Sequence, residues 1–365
     1  MARVIYHHPL PLDRDGASGS SIRPVRMLTA LESLAEVWPI AGTSAERARR
    51  IAEVRAAMGR GVVFDGVYSE SSTLPTALTD DDRVPRHPFM EPAFFRHCRR
   101  RGVPVTLFYR DVYWRFPGFA AQQNPLFRVA AKAAFRYDLA WYRGAVDLLY
   151  LPSMPMLRHV PISPRVPAKA LPPGTVIRET ATPAEDGPLE VLYVGGMSDM
   201  YDLRRFVEAL AGIDGLRLTI CTRPEDWETV RAQYEPLMGD NTTVVHQSGA
   251  QLTETMKRSH LATVCVEPNL YRSFAAPVKL FDGVGMGIPV VASNGTHAAN
   301  LVDEFDLGWR VDYTVDDMRR LFTHLATHRD EVTAARQRVL DGRDNHTWEA
   351  RAAQVLDDLS RLRNG

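Results

Sequence analysis

The sequence predicts an α/β protein of two doubly wound, Rossmann-like domains. Three observations lead there. Short apolar runs alternate with helical patterns along almost the whole length, which implies parallel sheet. A proline-rich stretch at 153–189 breaks that rhythm, and the rhythm then restarts. The chain has 365 residues, and a typical domain has roughly 150.

In the first half, RVIYHH (3–8) reads as a buried strand, and a Gly/Ser stretch follows from Asp13 to Ser21. Val25, Leu28, Leu31 and Leu34 then recur at helical spacing, with Pro24 in the first turn. Further strands are AEVWPIAG (35–42), GVVFDGVY (61–68), VPVTLFY (103–109) and VDLLYLPS (146–153), with helices near 44–58, 90–101 and 125–143. In the second half, LEVLYVGG (189–196) runs into a glycine turn, and Leu203, Phe206, Val207 and Leu210 mark a helix. LRLTIC (216–221), TTVVHQ (242–247), LATVCVEP (261–268) and IPVVAS (288–293) continue the strands, with helices from Pro224, near 250–258 and from Pro277. Trp348, Ala352, Val355, Leu356, Leu359 and Leu362 form one stripe of a final amphipathic helix. The expected domains are 1–170 and 171–345, followed by a terminal helix at 346–365. In such sheets ligands bind at the carboxyl ends of strands.

Lys plus Arg and Asp plus Glu number 44 each. That zero net charge argues against a nucleic-acid partner, because phosphate neutralisation needs a basic surplus. No run approaches the ~18 apolar residues of a membrane span. The N-terminus lacks the apolar core of a secretory leader, so a cytoplasmic location is expected. Cys98, Cys221 and Cys265 lie far apart, which speaks against disulfides and a structural zinc. TDDDR (79–83) follows no strand and is set aside as a metal motif. His7 and His8 point apart on a strand. No metal site and no resident cofactor are expected.

The segment YRSFAAPVKLFDGVGMGIPVVAS (271–293) carries the most chemistry. Pro277 suits the start of a helix, whose free N–H groups (from Val278 on) favour a phosphate. Lys279 adds a positive charge there, and Asp282 lies three residues on, placed to accept from ribose hydroxyls. Gly283, Gly285 and Gly287 signal close packing or close ligand approach. A plain alternative is a tightly packed helix with Lys279 and Asp282 as a surface pair.

PVKLFDGVGMGIPVVAS resembles the donor-site signature of the two-domain GT-B glycosyltransferases, in their large family 4-like group. The resemblance implies two Rossmann-like domains facing across a cleft, with the final helix crossing back to brace the first. It implies a nucleotide-diphosphate-sugar donor on the second domain and a glycan, lipid-linked or small-molecule acceptor on the first. Lys279 matches the family's diphosphate contact and Asp282 its ribose clamp, which is usually Glu. The E-x7-E form has another Glu eight residues earlier, where this sequence has Phe274. Transfer without metal and with retention is the family expectation; the missing Glu keeps inversion open.

YVGGMSDMYDL (193–203) resembles the family's donor-side glycine turn, with Gly195 and Gly196 approaching the phosphates. The Arg and Lys common after that turn are replaced by Asp199 and Asp202, so Arg223 is the candidate second cation. Glu267 and Asn269, just past a strand, are candidate sugar or base contacts. On the first domain, the loop holding Gly16, Gly19 and Ser20 resembles the acceptor-side glycine loop. LFYRDVYWRFPGF (107–119) follows a strand where the family places a His-Asp or similar pair. Asp111, with Arg110, is the candidate catalytic group, Tyr113 and Trp114 offer stacking faces to a pyranose, and Glu70 joins the same edge. The basic amphipathic segment 125–143, with RHCRRRG (96–102), suggests peripheral contact with an anionic membrane. Two other readings remain: a catalytically degenerate partner subunit and an NDP-sugar epimerase of the same fold.

Overall fold

The computed structural model describes residues 1–12, 19–116, 124–161, 166–177, 179–198 and 201–364, with only the backbone of 19–21. It divides into two compact units, Met1–Pro173 with Trp348–Gly365, and Gly174–Thr347.

The first unit alternates β1 (Arg3–His7), α1 (Gly19–Leu34), β2 (Glu36–Ile40), α2 (Ser44–Gly59), β3 (Gly66–Glu70), α3 (Met90–Arg100), β4 (Val105–Phe108), α4 (Pro125–Ala145), β5 (Leu148–Leu151) and β6 (Ala168–Ala170). All strands pair in parallel, in the order β2-β1-β3-β4-β5-β6. Continuous apolar strands suit a sheet covered on both faces, and Val4, Ile5, Tyr6, Val67 and Leu149 are fully buried. Thr43 and Glu46 form a reciprocal capping box at the start of α2. Pro24 lies inside α1 rather than in its first turn, because the helix begins at Gly19.

The second unit contains β7 (Leu189–Val194), α5 (Arg204–Leu210), β8 (Leu216–Cys221), α6 (Pro224–Tyr234), β9 (Thr242–Val245), α7 (Gly249–Lys257), β10 (Leu261–Val264), α8 (Val278–Gly285), β11 (Val290–Ser293), α9 (His297–Glu304), β12 (Gly308–Val311), α10 (Val315–Thr327) and α11 (Arg329–Gly342). Its parallel order is β12-β11-β10-β7-β8-β9. From β7 the chain winds outward through β8 and β9, then returns to the other side of β7 through β10. The switch point lies between β7 and β10, as in a dinucleotide-binding Rossmann sheet.

The chain then re-enters the first unit as α12 (Trp348–Asn364), which packs along α1 and β3. A Cβ on Gly66 would fall 2.5 Å from Leu359, so glycine is what lets this helix seat against the strand. The proline-rich 153–173 belongs to the first unit and holds β6. No described helix is long and apolar enough to cross a membrane.

Candidate active site

The candidate donor residues of the second unit gather at the strand ends around its switch point. Gly195 and Gly196 follow β7, and the Gly195 N–H donates to the Cys221 carbonyl at 3.0 Å. The Tyr193 hydroxyl donates to the Gly196 carbonyl at 2.8 Å and holds the turn. Arg223, just past β8, pairs with Asp226 at 3.0 Å. A Cβ on Gly196 would lie 3.2 Å from Asp226 and 3.7 Å from the Arg223 guanidinium, which puts that cation against the glycine turn.

On the other side of the switch point, the Glu267 N–H donates to the Asp202 carbonyl at 3.1 Å. The Tyr313 hydroxyl donates to the same oxygen at 2.8 Å. The Arg272 guanidinium lies 4.3 Å from the centre of the Tyr201 ring. These contacts tie the loops after β7 and β10 together. Burial opposes ionisation of Asp202, but hydrogen bonds from Arg204 outweigh it and hold the carboxyl below its ordinary range. Tyr193, Tyr201 and Arg272 escaped the sequence reading of the site, and Asp202 entered it only as the replacement of a family cation; an aromatic at a strand end was the signal available for Tyr193.

Pro277 stands at the N-cap of α8, not inside its first turn, and Val278 is the first helical residue. Among the described residues no side chain caps this end, which leaves its leading N–H groups to an anion. The Lys279 ammonium lies 3.3 Å from Asp282, with side chains 49% and 43% exposed. The surface pair weighed in the sequence is therefore formed in the free protein. A pair this exposed is worth only about 0–1 kcal/mol, so a ligand opens it at little cost.

Phe274 is buried against Tyr271, with ring centres 5.2 Å apart, so a core aromatic fills the place of the family's first carboxylate. The glycines of the motif serve packing. A Cβ on Gly285 would meet Thr175 Oγ1 at 2.1 Å, and Gly287 has φ +74. The Asn269 side-chain oxygen accepts from the Arg272 N–H at 2.9 Å, fixing a turn at the exposed end of this loop.

In the first unit the switch point lies between β1 and β3, and a polar cluster sits there. Glu70, the last residue of β3, is buried, accepts from the Tyr68 hydroxyl at 2.6 Å and pairs loosely with Arg23 at 3.4 Å. Arg23 is buried rather than solvated, with its guanidinium 3.5 Å from the Phe108 ring centre. Burial, with the Arg110 charge second, pushes His8 down to about 3. The Arg110 N–H donates to Ser71 Oγ at 3.0 Å. Arg110, Asp111 and Tyr113 are half-buried just beyond β4, and an Asp111 carboxylate oxygen accepts from the Tyr113 N–H.

Trp114 is corrected as an open stacking face. It is buried and stacked on Phe135 at 5.2 Å, and its indole N–H donates to the Tyr109 hydroxyl. Gly19 and Ser20 form the first turn of α1, while Gly16 lies outside the described residues. His324 and His328 do have the four-residue spacing of a metal pair and stack at 3.9 Å. His324 Nε2 is engaged by Glu331, and His328 Nδ1 by Thr327 and the His324 carbonyl. Among the described residues, no group of three or more His, Cys, Asp or Glu could hold a metal ion.

Residues 201–357 match the family described as glycosyl transferase-like. No curated protein matches the chain. Among solved structures it is similar to sucrose-phosphate synthase from Thermosynechococcus elongatus, with TM-score 0.61, 14% identity and 99% of each chain covered. It is similar to HepE from Anabaena in complex with UDP and glucose, with TM-score 0.63, 12% identity and 99% and 100% covered. It is also similar to an alpha,alpha-trehalose-phosphate synthase (UDP-forming) from Burkholderia vietnamiensis, with TM-score 0.56, 12% identity and 100% of both chains covered. At these identities the likeness establishes the fold.

Proposed function

For a chain of GT-B fold whose residues 201–357 match a glycosyl transferase-like family, we propose transfer of a sugar from a nucleotide-diphosphate-sugar to an acceptor hydroxyl. The donor occupies the switch point of the second unit, and a glycan, glycolipid or small-molecule acceptor meets the strand ends of the first. One observation carries the reading. The open N-terminus of α8, with Lys279 in its first turn, stands on the sheet whose switch point is flanked by the Gly195–Gly196 turn and the Glu267 loop. UDP-sugars are the donors to test first, since two of the similar structures carry UDP in their titles.

In the proposed reaction the bond from the anomeric carbon to the diphosphate oxygen breaks, and a bond to the acceptor oxygen forms. Charge growing on the leaving diphosphate is met by Lys279, Arg223 and the α8 N–H groups, without a metal ion. Asp111 takes the acceptor proton, or the departing phosphate does, and Arg110 holds the carboxylate side of the site. Asp282 takes the ribose hydroxyls. The E-x7-E group usually retains configuration, and retention is the outcome proposed. For a lipid-linked acceptor the enzyme works peripherally at the cytoplasmic face of a membrane.

Thermal unfolding with UDP, GDP, ADP and UDP-hexoses tests the donor site, because a ligand bound only to the folded state raises its stability. A shift with one nucleotide that disappears in Lys279→Ala supports the reading. No shift with any of them overturns it. The buried Phe274 favours one second reading, a degenerate partner subunit. Nucleotide binding with no release of nucleoside diphosphate from any sugar donor across an acceptor panel selects it.

A further inference from the structure

The glycine turn after β7 has no cation of its own. The residues that follow it, MSDMYDL (197–203), hold two acids and no Arg or Lys. The next cations, Arg204 and Arg205, face Asp202 at 2.5 Å and the Tyr313 carbonyl at 3.4 Å. A diphosphate at this turn therefore takes its charge partners from other elements. Lys279 is one. Arg223 is less suited than its place in the chain suggests. It is paired with Asp226 at 3.0 Å, and its side chain is 75% exposed, so water screens its charge.

Another cation reaches toward the turn from the loop after β10. Arg272 is fixed there by both of its backbone groups. Its N–H donates to Asn269 Oδ1 at 2.9 Å, and its carbonyl accepts the N–H of His297, the first residue of α9, at 2.8 Å. Two residues on, the buried Phe274 anchors the same loop. The Arg272 guanidinium stands over the Tyr201 ring, 4.3 Å from its centre. The Tyr201 N–H in turn donates to the Ser198 carbonyl at 2.7 Å, just beyond the glycines. The Arg272 charge also acts on Tyr193, whose hydroxyl holds Gly196. Burial pushes that hydroxyl up, and the nearby guanidinium is the first influence against it. An arginine pinned at its backbone and laid over an aromatic face gives up little freedom on binding, and its fork matches two phosphate oxygens.

We propose that Arg272 is the second cation of the donor site, binding the diphosphate together with Lys279, and that Tyr201 is the residue that positions it. This rests on the donor site proposed above and adds to it a residue that no motif marks.

The test is calorimetry on the full chain with uridine, guanosine and adenosine and with their diphosphates. Wild type is compared with Arg272→Gln, Arg272→Lys, Arg223→Gln, Tyr201→Ala and Tyr201→Phe, each checked for unchanged thermal unfolding. Arg272→Gln is expected to weaken the diphosphate about tenfold or more and to leave the nucleoside as it was. Arg272→Lys, which keeps the charge, recovers part of that loss, and Arg223→Gln costs less than about threefold. Tyr201→Ala weakens the diphosphate by a few fold, roughly the worth of a cation–π contact, and Tyr201→Phe matches wild type. Full diphosphate affinity in Arg272→Gln overturns the proposal while leaving the donor site standing. Equal loss of nucleoside and diphosphate also overturns it, since Arg272 then only ties the two loops together. A tenfold loss in Arg223→Gln with none in Arg272→Gln gives the role to Arg223. A wild type that binds none of the diphosphates removes the donor site itself, and this residue's role with it.

Discussion

The Tyr150 hydroxyl donates to the Asp358 carboxylate at 2.8 Å, although 208 positions separate the two residues. The bond joins the end of the chain to a strand of the first unit, and Lys169 from β6 pairs with the same carboxylate. Asp358→Ala removes a buried acceptor from the buried Tyr150 hydroxyl, whereas Lys169 stands exposed. It should cost about 2 kcal/mol in urea unfolding, because the buried Tyr150 hydroxyl is left unsatisfied. Tyr150→Phe, which keeps the ring and the Lys169 pair, should cost about 1 kcal/mol.

Asp282 and Lys279 are expected to act on different parts of the nucleotide. Lys279→Ala should weaken nucleoside diphosphate binding by roughly tenfold or more, for ribo and 2′-deoxy forms alike. Asp282→Ala should instead erase most of the preference for the ribose form. Calorimetry with UDP and 2′-deoxy-UDP separates the two roles. Equal loss of both nucleotides in Asp282→Ala removes the ribose clamp.

Asp111→Asn is expected to lower turnover by about a hundredfold or more, the usual worth of a general base. Nucleotide affinity should be unchanged, since the residue lies in the other unit. Unchanged turnover would assign proton acceptance to the departing phosphate.

Gly285→Ala should destabilise the second unit by about 2 kcal/mol, the ordinary cost of overpacking. The added carbon meets Thr175 Oγ1 at 2.1 Å and the Val176 carbonyl at 2.9 Å. Denaturant unfolding followed by tryptophan emission measures it. A neutral effect would show that the chain at 175–176 shifts freely away from α8.

His260 gives the second unit a dependence on acid. Its Nδ1 accepts from the Glu190 N–H at 3.0 Å, and its Nε2 lies 2.8 Å from the Ala184 carbonyl. Burial pushes it down to about 4. The unfolded chain takes up the proton near the ordinary value of about 6.5. Between those limits the unfolded state binds more protons, so the residue's contribution is full above about pH 6.5 and fades as the pH falls toward 4. His260→Gln should therefore melt several degrees below wild type at neutral pH, with the gap narrowing on acidification. A gap that stays constant with pH would refute the linkage.

The alternation of strand and helix was legible because both sheets are parallel and buried, so their strands read as continuous apolar runs. Boundaries were less so. GVVFDGVY suggested a strand from 61, but β3 starts at Gly66. Asp65 donates its N–H to the Arg3 carbonyl at 2.8 Å and accepts the Arg3 N–H at 2.7 Å, closing the connection before β3 begins. β6 was hidden among prolines because an edge strand of three residues has no periodicity to show. α9, with eight residues, and β12, with four, are similarly short. At the candidate site, Lys279 and Asp282 could be read from spacing. The burial of Trp114 and the hub at Asp202 depend on contacts between residues distant in sequence.

Helix α12 completes the first unit from the far end of the chain. On the ribosome, β1 to β6 emerge long before residues 348–364. Until then the groove between α1 and β3, where Leu359 will sit over Gly66, stands open to water. The second unit, whose residues are contiguous, has everything it needs earlier. The half of the protein made first is thus finished last, and during synthesis it is the half that needs shelter from aggregation.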